Sequence, residues 1–176
     1  MAFKTNVYNR YSNRLAASTF IVFNEARRKC RRVIFLRHLG DGMHLLRIEV
    51  ENFKSFGGEI TIPFDEGFTA ITGPNGSGKS NSGDAIQFVL GTRSTKVMRA
   101  DNVADLIFNG GKRGKPARHM SVTLVFANNP EIDGRRRLRI AEDEVSFTRS
   151  VRLNRKNQPI SSYRIGERSV TATEMR

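Results

Sequence analysis

The chain has 176 residues, 38% hydrophobic and 27% charged, with a formal net charge of +13. That length suits one domain or a piece of a larger one, with enough chain for a real core. The ordinary soluble composition excludes a membrane bundle or a collagen-like chain, the lone Cys30 excludes an internal disulfide, and no Cys/His cluster has zinc spacing.

Thirty Lys+Arg against 17 Asp+Glu favour polyanionic partners: nucleic acid, nucleotide or acidic lipid. The charge is unevenly placed. Residues 1–42 hold nine Lys/Arg and two acids, over half of the excess. In this leader Lys4, Arg10 and Arg14 precede an apolar patch, Leu15 to Phe23, and Arg27-Arg28-Lys29-Cys30-Arg31-Arg32 follows. The patch is far shorter than the ~20 residues a bilayer span needs. A signal peptide lacks its small-residue cleavage site here; an organelle transit peptide and a basic arm on nucleic acid are further readings. The favoured reading places the natural start at Met43, because a well-patterned strand begins right after it. We therefore expect a basic leader over 1–42, disordered or not native, and a domain over 43–176. The single thiol fits a reducing compartment.

Leu46, Ile48 and Val50 alternate with Arg47, Glu49 and Glu51, which predicts a half-buried strand. Gly57-Gly58 reads as the turn into a second strand carrying Ile60, Ile62 and Phe64. Asp65-Glu66-Gly67 reads as another turn, and Phe68 to Thr72 as a short third strand.

That strand runs into Gly73-Pro74-Asn75-Gly76-Ser77-Gly78-Lys79-Ser80, a match to G-x-x-x-x-G-K-[ST], the P-loop or Walker A motif. Gly76 and Gly78 let the backbone turn where a Cβ would clash. Successive N–H groups then face inward as an anion nest, and the next helix adds its positive end. Lys79 is placed to reach the β- and γ-phosphates of ATP, and the Ser80 hydroxyl to ligate Mg²⁺. A chance match costs about 4 in 100,000 per starting position at average residue frequencies, so coincidence is a poor explanation. The spacing of Ala85, Ile86, Val89 and Leu90 predicts a helix over 81–90, with Gly91 at its C-terminal cap.

Hydrolysis needs a second acid on the metal and a group that orients water. No apolar tetrad ending in Asp follows the loop: Asp101, Asp105 and Asp133 lack one, and Glu142-Asp143-Glu144 follows Ala141 alone. The chain is thus expected to hold a nucleotide but not to turn one over by itself.

Asn52-Phe53-Lys54-Ser55-Phe56, Gly73 through Asn81, Asp84-Ala85-Ile86 and Phe88-Val89-Leu90-Gly91 together resemble the N-terminal ATPase lobe of SMC proteins, the structural maintenance of chromosomes ATPases. The resemblance runs from Met43 to about Arg176. It continues through Arg93-Ser94-Thr95-Lys96-Val97-Met98-Arg99, similar to the family's arginine loop, and Asp105 to Gly110. It implies an α/β fold of the P-loop NTPase, ABC ATPase-like class: strands flanking a P-loop and helix, incomplete without a C-terminal lobe. It implies ATP and Mg²⁺ as cofactors, with Gly73, Pro74, Asn75, Gly76, Ser77, Gly78, Lys79, Ser80 and Asn81 as nucleotide contacts. Arg99 would sit near the nucleotide of an engaged head and couple DNA to hydrolysis. The family pattern puts an aliphatic residue where this chain has Ser82, then Gly83, which implies looser packing under the loop.

In the family this lobe precedes a long coiled coil and a C-terminal lobe bearing the signature motif and Walker B. The resemblance therefore implies the ATP-binding half of an ATPase head, ending before the coiled coil. Its partners would be that C-terminal lobe, a second SMC head, kleisin-type accessory subunits and double-stranded DNA, with no membrane. Its setting would be chromosome condensation and segregation, in the cytoplasm on the nucleoid, or in a eukaryotic nucleus. The alternatives are a recombination-repair ATPase of the RecF kind and a non-catalytic truncated fragment that only binds nucleotide.

Beyond the arginine loop, Met120, Val122, Leu124 and Phe126 alternate as a strand. Val145 to Leu153 and Ile160 to Ile165 form a predicted hairpin with a basic tip at Asn154–Pro159. Residues 167–175 are expected to begin a helix. Lys112 to Arg118 reads as a basic, turn-rich linker and Arg135 to Arg139 as a basic cluster. The basic tips read either as a solvated edge that discourages strand pairing or as sequence-independent phosphate contact with DNA, and the resemblance to heads that bind duplex DNA implies contact. No role is assigned to His38, His44 or His119.

Overall fold

The computed structural model describes residues 6–7, 21–24, 33–37, 43–65, 68–91, 95–112, 114–131 and 133–175. In chain order the strands are β1 (Asn6–Val7), β2 (Ile21–Asn24), β3 (Val33–Arg37), β4 (Leu45–Phe53), β5 (Phe56–Pro63) and β6 (Phe68–Ile71). Helix α1 (Lys79–Leu90) follows, then two 3-10 turns at Thr95–Met98 and Val103–Leu106. Strands β7 (His119–Ala127), β8 (Glu144–Leu153), β9 (Pro159–Ile165) and β10 (Arg168–Val170) complete the order. A six-stranded antiparallel sheet runs β10-β9-β8-β7-β4-β5, and a second sheet runs β1-β6-β3-β2.

Period-two patterning sets the faces of the larger sheet. Ile48, Val50, Met120, Val122, Leu124, Phe147 and Val151 are buried. Opposite them Arg47, Glu49, Thr123 and Thr148 share the outer face, where Arg47 Nη1 meets Glu144 at 2.8 Å. The register pairs Ile48 with Leu124 and Val50 with Val122, so a one-residue slip of β4 would turn its apolar set to water. Helix α1 packs against β4, β7 and β8 and also touches β3. Its buried residues include Ala85, Ile86, Phe88 and Val89, and the Phe88 ring lies 5.5 Å from that of Phe53. Full burial of each such side chain is worth about 1.5–3 kcal/mol, which fixes the helix on the sheet.

Several details differ from the sequence expectations. The β4–β5 turn falls at Lys54-Ser55, with Asn52 and Lys54 at positive φ, and Gly57-Gly58 lies inside β5. A Cβ on Gly57 would lie 2.6 Å from the Phe108 ring, so that position serves ring packing. Leu90 is exposed and Phe88 takes its place in the core, because the helix turns its sheet-facing stripe one step earlier. Residues 168–170 form β10, not helix; the Gly166-Glu167 turn folds them back on β9, where pairing satisfies their backbone. The expected turn at Glu66-Gly67 and most of the leader lie outside the described residues. In the leader, β3 and β1 flank β6 on its two edges.

Candidate functional site

Strand β6 delivers the chain to the Gly73–Ser80 loop, and α1 starts within that motif at Lys79. Gly78, at the helix N-cap, has φ +88°, and a Cβ there would lie 2.7 Å from the Phe56 ring. Only glycine meets both demands without strain. No side chain caps α1, and its first turn carries no acid. The positive end of the helix thus carries neither a capping side chain nor a first-turn acid, which suits an anion.

Lys79 is 5% exposed, and its Nζ donates to the carbonyls of Gly73 and Pro74, each at 2.6 Å. Ser77 Oγ stands at 3.4 Å from the same ammonium. The loop thus wraps its own lysine and fixes the charge at the helix start. Ser80 follows on the first turn of α1. Glycine-shaped backbone, a buried ammonium, an uncapped helix end and a hydroxyl fit a magnesium nucleotide. Among the described residues no group of three His, Cys, Asp or Glu could hold a metal ion. A metal here would depend on Ser80 and on the phosphates themselves.

The loop is buttressed by the β4–β5 turn. Asn81 Nδ2 donates to Ser55 Oγ at 2.6 Å, and Phe56 lies under Gly78. Lys54 Nζ reaches Asp84 Oδ2 at 2.5 Å and the Met98 carbonyl at 2.9 Å. Arg99 Nη2 reaches the same Asp84 oxygen at 3.0 Å. The structure thus ties three strings, Asn52 to Phe56, the loop helix and Thr95 to Arg99, through one buried carboxylate. Asp84 and Lys54 lie within the strings that resemble the family, but the sequence points to no role for either. Their signal was weak: Asp84 stands four residues after Ser80, which puts both on one helix face. Arg93 and Ser94 lie outside the described residues.

Ser82 is fully buried and its hydroxyl has no hydrogen-bond partner. At the other end of α1, buried Arg149 donates from Nη1 to the Phe88 carbonyl at 2.8 Å, with its guanidinium 4.2 Å from the Phe88 ring centroid. That places a cation on the negative end of the helix.

The basic segments divide. Arg135 pairs with Asp133 at 3.7 Å, Arg136 with Asp143 at 2.7 Å and Arg137 with Glu131 at 2.7 Å. Arg136, which also donates to the Asn128 carbonyl, and Arg137 brace the loop between β7 and β8. Buried Asn128 closes the same loop, donating to the carbonyls of Leu138, Ile140 and Glu142 at 3.0–3.3 Å and accepting from the Leu138 N–H at 3.1 Å. Arg155 and Lys156, at the β8–β9 tip, are exposed. Among the described residues no helix is long and apolar enough to cross a membrane.

The chain is similar to known proteins over residues 44–176. The chain is 44% identical over 133 residues to the chromosome partition protein Smc of Pyrococcus furiosus, covering 75% of this chain and 10% of that protein. It is 40% identical over 133 residues to the protein of that name from Gloeobacter violaceus, covering 76% of this chain and 10% of that one. The chain thus spans about a tenth of the length of these relatives. Among solved structures, one from work on ATP-driven dimerization and DNA-stimulated activation of SMC ATPases superposes with a TM-score of 0.64 at 45% identity, covering 75% of each chain. A Smc head bound to the C-winged helix domain of ScpA gives 0.60 at 39% identity, covering 75% of this chain and 38% of that one. Both fit the N-terminal lobe of an ABC-like P-loop ATPase. The RecF/RecN/SMC N terminal domain matches residues 44–176, and the chain belongs to that family as an SMC N-terminal head lobe.

Proposed function

We propose that this chain is the ATP-binding half of an SMC-type ATPase head. One observation carries the reading. A buried Lys79 sits inside a glycine-shaped loop at the uncapped start of α1, in a chain 44% identical to a chromosome partition protein. Gly73 to Asn81 would wrap the phosphates with the backbone N–H groups of every residue but Pro74, which has none. The Lys79 ammonium would leave part of its carbonyl shell for phosphate oxygens, and the Ser80 hydroxyl would hold Mg²⁺. The metal would neutralise charge on the phosphates. Arg99 would supply a guanidinium to the same charge.

A signature motif and Walker B from a C-terminal lobe would complete catalysis when two heads engage. The whole protein would use that cycle on double-stranded DNA, with kleisin-type subunits, in chromosome condensation and segregation. It would work in the cytoplasm on the nucleoid, or in a nucleus. Arg155 and Lys156 are the basic-tip residues best placed for DNA phosphate. The leader over 1–42 stands outside the family match and outside this role.

The test is ATP turnover by the 176-residue chain alone and after mixing with a separately produced C-terminal lobe of an SMC head. Turnover should need both and vanish with Lys79→Ala. Turnover by the chain alone that Lys79→Ala abolishes would refute the division of labour.

A further inference from the structure

The Asp84 carboxylate carries one cation more than it needs. Lys54 and Arg99 both donate to its Oδ2, at 2.5 and 3.0 Å. The two cations are not equivalent. The Lys54 side chain is 17% exposed and also anchored on the Met98 carbonyl, whereas the Arg99 side chain is 55% exposed. Asp84 itself is 12% exposed, so an unpaired charge there would be strongly disfavoured. With Lys54 in place Arg99 can leave without stranding it. Both cations also come from left-handed backbone, Lys54 at φ +53° and Arg99 at φ +57°. Two turns from different parts of the chain thus converge on this carboxylate against conformational preference. Asp84 lies one helical turn beyond Ser80 on the same face, with Cβ atoms at that spacing about 5–6 Å apart. An arginine released from Asp84 starts within a side chain's reach of the phosphate end of the loop.

We propose that Asp84 is a latch. It holds the Arg99 guanidinium beside the loop and surrenders it to a phosphate oxygen of a nucleotide seated there, while Lys54 stays as the counter-ion. This rests on the nucleotide reading above. Asp84 and Lys54 are positioning residues that act through Arg99.

Competition between carboxylate and phosphate gives the two positioning variants opposite signs. Asp84→Asn weakens the hold on Arg99 and should tighten Mg·ATP binding by the full chain about three- to fivefold, the scale of a partly exposed ion pair. Lys54→Met leaves Arg99 as the carboxylate's sole partner and should weaken Mg·ATP binding by a similar factor. In an Arg99→Ala background the Asp84→Asn effect should shrink below about twofold. Calorimetric titration of Mg·ATP into each variant reads all of these. Mere loosening of the site would move both variants the same way, and that result overturns the latch. So does an Asp84→Asn effect that persists without Arg99. A wild-type chain that binds Mg·ATP, and loses it in Lys79→Ala, keeps the nucleotide reading whatever the latch variants do. A wild-type chain that binds none overturns both.

Discussion

Gly78 and Gly76 offer a paired test of how the loop is built. Both have positive φ, +88° and +80°. A Cβ at Gly76 would meet nothing within 4 Å, whereas one at Gly78 would lie 2.7 Å from the buried Phe56 ring. Gly76→Ala should therefore cost only the left-handed backbone penalty, about 1–2 kcal/mol. Gly78→Ala adds overpacking against a ring that is 5% exposed, worth a further ~1–3 kcal/mol. The two variants should differ by that second amount in urea denaturation of the full chain. In a Phe56→Leu background the Gly78→Ala penalty should fall to that of Gly76→Ala, because a shorter side chain vacates the contact. Equal losses for the two glycine variants would refute the claim that the β4–β5 turn shapes the loop.

Other outcomes follow from single residues. Ser82→Ala removes a buried hydroxyl without a partner and adds a better helix former, so denaturation should show a gain of about 1 kcal/mol; a loss would mean that the hydroxyl is bonded. Asn128→Ala strips the side chain that bonds three loop carbonyls. It should cost about 2–3 kcal/mol and speed amide exchange across 128–143, and unchanged exchange there would contradict that role. Duplex DNA binding should fall steeply with salt, and a double Arg155→Ala/Lys156→Ala variant should flatten the slope by about two units at most; a flat wild-type response would remove the phosphate contacts.

The loop and its helix were legible because their chemistry is local. Gly78, Lys79 and Ser80 do their work within one turn of chain, so a short motif carries them. Strand faces were legible as well, since alternation in Leu46 to Glu51 states which side meets the core. What escaped depended on distant partners. Gly57 reads as a turn until Phe108 is seen against it, and the real turn at Lys54-Ser55 carries only the weaker signals of Asn52 and Ser55 beside that Gly-Gly pair. Arg135 to Arg137 read as a free basic patch, but acids at 131, 133 and 143 pair with them. Val170 and its neighbours are too short a run to show strand periodicity; only the pairing with β9 defines them. The convergence of Lys54 and Arg99 on Asp84 joins segments 30 and 15 residues away, which no spacing rule reaches.

The most direct measurement is Mg·ATP binding by the 176-residue chain, by calorimetry, beside Lys79→Ala. The buried ammonium in the loop predicts saturable binding at one site in the wild type and its loss in the variant. Equal affinity in the two proteins, or no binding in either, would contradict the assignment of this loop to nucleotide.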